Sequence, residues 1–221
     1  MMKMKLFKQT GAYHRKNNIC CQDCAGAIVV SNDIAVAAVS DGCSSSLLGH
    51  IGSVMCVRTF TETLSALPKE KLKKFCISGK CDDELKEIVT VAIHRAVAEK
   101  GTGHQLLSAT LLGCILYKKS VVLVHIGDGF AACPVYGHIR IVSKPENREL
   151  QNQTYFATEP CAKHHIRIKH IRVYDKLLLS TDGLSKIRLD KSLFKPEGLS
   201  NFLTANKDRL YDDCGVILIQ S

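Results

Sequence analysis

The sequence predicts an α+β fold of antiparallel sheets covered by helices. Apolar runs of strand length come first, then two helical stretches, a block of strands, one more helix and a final strand. Within the strand block the connections are the turns Lys118-Lys119, Asp128-Gly129 and Gly137. They are too brief for the crossover helices that parallel strands require. With 221 residues, 46% of them hydrophobic, the chain can bury a core as one domain spanning 1–221.

Each element has a local signature. Gly26 to Ser31 and Ile34 to Val39 are apolar runs around Asn32-Asp33, a hairpin of buried strands ending at Asp41-Gly42. After the polar turn Ser44-Ser45-Ser46, the residues Val54, Val57, Phe60 or Thr61, Leu64 and Leu67 recur at helical spacing, and Pro68 closes that helix. Lys69 to Lys80 reads as a basic loop with a short turn of helix. A second helix follows, with Asp82 or Asp83 as N-cap and Leu85, Ile88, Val89, Ala92 and Ala96 on one face, stopped by Gly101-Thr-Gly103. The stretches 109–117, 120–126, 130–136 and 138–142 then form an antiparallel meander. Residues 144–165 are polar and read as a loop. Ile166, Ile168, Ile171 and Val173 alternate with a slip near His170, the mark of a bulged strand. Lys176 to Thr181 is a strand, Pro196 to Asn206 a helix with proline at its start, and Cys214 to Ile219 a last buried strand.

Composition removes several classes of function. The apolar fraction excludes disorder, and no apolar run approaches the roughly 20 residues of a membrane helix. Lys and Arg number 30 against 21 Asp and Glu, a net charge of +9. The bases are scattered, densest at Lys69 to Lys74 and Lys163 to Arg172, and aromatics are only 6%. No stacking platform for nucleic acid is interleaved with them. The start, Met1 to Lys8, lacks the apolar stretch of a signal peptide. Eleven cysteines, an odd number and many inside apolar runs, read as reduced thiols in a cytoplasmic protein.

Carboxylates punctuate the strand ends. Asp23 precedes the first predicted strand; Asp41, Asp128 and Asp182 follow others; Asp212-Asp213 precede the last. Any one Asp-Gly pair is a turn signal. Together, carboxylates at the ends of strands in one sheet system point to a Mg²⁺ or Mn²⁺ site, since hard divalent cations take oxygen ligands and water.

The segments Gln22-Asp23, Val39-Ser40-Asp41-Gly42, Ser108-Ala109-Thr110, His125-Ile126-Gly127-Asp128, Leu179-Ser180-Thr181-Asp182-Gly183 and Asp212-Asp213-Cys214-Gly215-Val216-Ile217 occur in that order. The series resembles the motifs of the metal-dependent protein phosphatases of the 2C type, the PPM family, over a core of about residues 14–219 on the ordering of motifs. His14 to Asp23 resembles its compact bacterial branch. The resemblance implies two packed antiparallel sheets flanked by helices, a four-layer αββα sandwich. It implies hydrolysis of phosphoserine and phosphothreonine in proteins, opposing a serine/threonine kinase in signalling, by a monomer without nucleic-acid or membrane partners.

Carried over residue by residue, it makes Asp41 the bridge between two Mg²⁺ or Mn²⁺ ions, with the Gly42 carbonyl as a further ligand. Asp182 and Asp212 complete the other ion's shell, and Asp212 is preferred to Asp213 for its spacing before Val216. Asp23 holds metal-bound waters, and Asp128 matches the aspartate of a third, looser ion. Two such ions lower the pKa of a shared water and aim it at phosphorus. For the family's phosphate-binding arginine, Arg15 is the candidate counterpart, with His14 and Lys16 beside it.

The sequence also departs from the family. Cys43 stands where members carry a histidine that protonates the leaving alkoxide, Gln22 replaces a glutamate or asparagine, and Ala109 replaces a threonine. These departures motivate an alternative, a phosphatase-like domain that binds phosphoproteins as a regulator with little or no turnover. Other constellations read as local structure. Cys21 and Cys24 supply one zinc-type pair, but Cys161, His164 and His165 are irregularly spaced as a second. The serines at 44–46 lack a nucleophile elbow.

Overall fold

The computed structural model describes residues 2–146, 154–172, 174–185 and 187–221. Its first element is a strand that lysines disguise, β1 (Lys3–Gln9), followed by a short helix, α1 (Ala12–Lys16). The hairpin forms as β2 (Cys24–Ser31) and β3 (Ile34–Ser40). Helix α2 (Gly49–Ser65) carries the apolar periodicity and stops short of Pro68.

The lysine-rich stretch that follows is a helix and not a loop, α3 (Lys69–Ile77). Leu72, Phe75 and Cys76 give it a buried stripe while its lysines stay at least partly exposed. In α4 (Asp82–Glu99) the N-cap is Cys81, and Asp82 is the first helical residue. The Asp82 carboxylate lies instead 2.8 Å from His170 Nε2. Gly101, at φ +64, ends the helix as expected.

The remaining elements are β4 (Leu111–Tyr117), β5 (Ser120–Ile126), β6 (Phe130–Val135), β7 (His138–Ser143), α5 (Ala162–His165), β8 (Arg167–Arg172), β9 (Lys176–Ser180), α6 (Pro196–Ala205) and β10 (Cys214–Gln220). Helix α5 interrupts what reads as loop from 144 to 165; residues 147–153 of that stretch lie outside the described residues. The strand block is not a single meander. One sheet runs β2-β3-β4-β5-β8 and the other β1-β10-β9-β6-β7, every pairing antiparallel, so the chain changes sheet between β5 and β6.

The two sheets pack on each other, and helices cover both outer faces, as the fold class requires. Along β3, Ile34, Val36 and Ala38 face the helices, while Ala35, Ala37 and Val39 face the second sheet. Burial on both faces is why these strands read as continuous apolar runs. The same logic removes the expected bulge at His170. Register between β5 and β8 is unbroken from Ser120↔Arg172 to His125↔Arg167. Ile168 packs on the helix side and Ile171 between the sheets; Val173 lies outside the described residues.

A third apolar layer, including Phe130, Leu178, Val216 and Leu218, seats α6 through Leu199 and Leu203. Helix α2 sits close on its sheet because Gly113 makes room, since a Cβ there would fall 2.4 Å from the Phe60 ring. All eleven cysteines are free, and Cys56, Cys76, Cys81, Cys114, Cys133 and Cys214 are buried. Among the described residues no helix is long and apolar enough to cross a membrane.

Candidate metal centre

Strand ends from both sheets meet at one cavity of about 410 Å³. Asp41 leaves β3 and Asp128 follows β5 in one sheet; Asp182 follows β9 and Asp212 precedes β10 in the other. All four line the cavity, with Cys43, Ser44, Ser45, Thr154, Phe156 and Glu159. A larger cleft of about 600 Å³ between α2 and α4 carries Glu62 and Glu99 among bases and apolar groups, without an aspartate. The chemistry therefore belongs to the smaller cavity.

Backbone and hydroxyl contacts fix the carboxylates. The Asp41 amide donates to Thr110 Oγ1 at 3.0 Å, and its carbonyl accepts from the Thr110 amide at 2.9 Å. Asp23 is fully buried behind the cavity, hydrogen-bonded to Asp41 and accepting from Thr181 Oγ1 at 2.5 Å. Gly42 admits no side chain, because a Cβ would lie 2.2 Å from the Gly49 carbonyl oxygen. Its amide donates to the Gln22 carbonyl at 3.2 Å.

Burial and neighbouring charge raise the proton affinity of Asp23, Asp41 and Asp128. Burial, then the charges of Asp23, Asp182 and Asp128, hold Asp41 well above the ordinary carboxylate range. Burial also raises Asp23, against the opposing hydrogen bonds from Thr181 and Asp41. Asp128 is raised chiefly by burial, with Asp212 adding to it. Its Oδ1 is buried with no hydrogen-bond partner.

An orphaned carboxylate oxygen and a cluster of mutually repelling acids fit hard divalent cations. Among the described residues no three carboxylate, imidazole or thiol groups close around one point. That openness suits cations held by few carboxylates and several waters better than a closed structural site. It also leaves Cys20, Cys21, Cys24, Cys161, His164 and His165 without a shared ligand set. His165 instead stacks on Tyr155, ring centroids 3.6 Å apart.

Asp212 and Asp213 part company. Asp212 faces the cavity, while buried Asp213 accepts from the amides of Gly11 (2.7 Å) and Gln22 (2.5 Å) and pairs with His14 Nδ1 at 2.8 Å. Arg15 is not brought into the lining: its guanidinium donates to the carbonyls of Thr10 and Lys207 and to Asp208 Oδ1 at 3.1 Å. The Cys43 thiol lies 3.0 Å from Ser45 Oγ on the rim. With Ala109 lacking a hydroxyl, Thr110 supplies the one that Asp41 uses.

Sequence reasoning missed Thr154, Phe156 and Glu159, which follow no strand and carry no turn signal. His14, Thr110 and Thr181 stand inside quoted segments, but their roles need the fold to appear.

Comparison with known proteins adds a family. The sequence profile described as Protein phosphatase 2C matches residues 10–213. No curated protein matches. Among solved structures, the chain is similar to the serine/threonine phosphatase Stp1 from Staphylococcus aureus, with TM-score 0.75 and 15% identity over 100% of this chain and 95% of that one. It is similar to the catalytic domain of the serine threonine protein phosphatase PstP in complex with two manganese ions, with TM-score 0.70 and 15% identity over 99% and 97% of the two chains. RsbX in complex with magnesium gives TM-score 0.64 and 16% identity over 99% and 94%.

Proposed function

The chain belongs to the protein phosphatase 2C family, and from that premise we propose that it hydrolyses phosphoserine and phosphothreonine in proteins at a pair of Mg²⁺ or Mn²⁺ ions. The observation that carries this reading is the cavity's composition: four aspartates line it and, among the described residues, no Lys, Arg or His does. A cavity so charged repels phosphate unless cations reverse its sign. The ions bound to PstP and RsbX support the choice of metals.

When bound, the ions supply positive charge to the phosphoryl oxygens and an activated water for attack in line. The chain's own residues hold them. Asp41, with the Gly42 carbonyl alongside, would hold both ions, Asp182 and Asp212 would serve the second, Asp23 would order waters, and Asp128 would take a looser third ion. Thr110 and Thr181 fix Asp41 and Asp23 so that binding needs little rearrangement. Phosphate binding falls to the cations and not to Arg15, which is committed to Lys207 and Asp208. With a thiol at Cys43 in place of histidine, water protonates the leaving alkoxide.

The same reading makes the chain one phosphatase domain, a cytoplasmic monomer that opposes a serine/threonine kinase in signalling. Its support is the family match across most of the chain. The test is hydrolysis of a phosphothreonine peptide with Mn²⁺, with EDTA, and in Asp41→Asn and Asp182→Asn. Turnover should require the ion and vanish in either variant. Turnover that survives chelation, or both substitutions, overturns the proposal.

A further inference from the structure

We propose that Arg167 is a positioning residue for the cavity, holding Asp128 on its wall through the carbonyl of Gly127. The proposal rests on reading the cavity as a cation site. Arg167 opens β8, the edge strand, in register with His125. Its guanidinium makes a web of contacts. Nε forms an ion pair with the Glu146 carboxylate at 2.6 Å, without the alignment of a hydrogen bond, and Nη1 donates to the Lys144 carbonyl at 2.7 Å. Nη2 donates to the Gly127 carbonyl at 3.3 Å and lies 3.2 Å from His125 Nδ1. The His125 ring is buried, with Nδ1 also 2.7 Å from Ser143 Oγ. Burial first, then Arg167, push its pKa down to about 3, so the ring stays neutral and can accept a hydrogen bond.

The Gly127 carbonyl is the point of convergence. It accepts a second hydrogen bond from the Glu146 amide at 3.0 Å. Gly127 itself has φ +110, and a Cβ there would fall 2.6 Å from the Thr110 side chain. Thr110 is the residue whose hydroxyl takes the Asp41 amide. One peptide thus joins the Arg167–Glu146 pair on one side to Asp128 and, across Thr110, to Asp41 on the other. Thr154 extends the web, its Oγ1 donating to the Glu146 carbonyl at 3.2 Å while it lines the cavity.

This arrangement does little for global stability, because Arg167 and Glu146 are each about a third exposed and water screens such pairs. What it fixes is direction. A glycine at positive φ is a permissive hinge, so the peptide leading into Asp128 needs an outside hold. Asp128 Oδ1 has no hydrogen-bond partner of its own to supply one. A planar fork that meets several acceptors at once provides it, and a lysine's single ammonium would meet fewer of them.

The test is Mn²⁺ calorimetry on the wild type, Arg167→Ala, Arg167→Lys, Glu146→Gln, Asp128→Asn and the Arg167→Ala/Asp128→Asn double variant, with thermal midpoints in EDTA. Arg167→Ala should weaken Mn²⁺ binding by about the factor seen for Asp128→Asn, on the order of 10–100-fold. The double variant should be no weaker than Asp128→Asn alone. Arg167→Lys should recover part of the loss, Glu146→Gln should show a milder one, and midpoints in EDTA should barely move. An Arg167→Ala isotherm like the wild type's, or losses that multiply in the double variant, overturns the proposal. A wild-type protein that takes up no Mn²⁺ overturns the cation-site reading, and the positioning role with it.

Discussion

His125 sits in register with Arg167 and stays neutral, and that has a cost at low pH. Its pKa falls from an ordinary 6.5 to about 3 on folding, so below 6.5 the unfolded chain binds the extra proton. Stability from this residue is complete above 6.5 and declines as the pH drops toward 3. Urea unfolding in EDTA should show an acid limb of up to about 1.4 kcal/mol per pH unit. His125→Gln should flatten that limb, and an unchanged slope would refute the assignment. His14 makes a different prediction. Removing it leaves buried Asp213 short of a partner, which should cost about 1–3 kcal/mol in His14→Ala by urea unfolding. Because the Asp213 amide donates to Asp212 Oδ1 at 2.9 Å, Mn²⁺ affinity should fall as well. At this scale the aspartates were legible, each flagged by an apolar strand beside it. Glu159 and Thr154 were not, because only the fold returns their loop to the cavity.

Among the elements, the contact of α2 with β4 can be probed at Gly113. In Gly113→Ala the new methyl meets the Phe60 ring, and overpacking should destabilise by about 1–3 kcal/mol. Phe60→Leu in the same background should restore part of it; a neutral Gly113→Ala would show that the ring has room to move. The buried strands and long helices could be read from sequence because their apolar content has length and period. Strand β1 could not, since lysines at 3, 5 and 8 keep an edge strand soluble and erase its apolar pattern. Helix α3 was hidden likewise by its lysines. The passage between sheets at 127–129 was invisible because a hairpin turn and a change of sheet can have equally short connections.

Over the whole molecule, the charge of +9 surrounds an acidic cavity. Lys163 is tied to Glu87, and Arg172 pairs with Ser120 at the end of β5 remote from Asp128. Neither lines the cavity, so steering of an acidic phosphopeptide is expected from the overall charge. With Mn²⁺ saturating, kcat/KM for an acidic phosphopeptide should fall between about 0.01 and 0.1 M salt, as the screening length shrinks from about 30 to 10 Å. A flat response would argue against steering. The αββα plan itself was legible, since its order of elements and motif series span nearly the chain. The pairing of β1 with β10 along Lys3↔Gln220 to Gln9↔Cys214 carries a consequence for synthesis. Ribosomes add about 5–20 residues per second, so β1 waits on the order of ten seconds or more for the strand it pairs with. Asp41 is made long before Asp182 and Asp212, so the four walls of the acidic cavity come together only when the last strand docks.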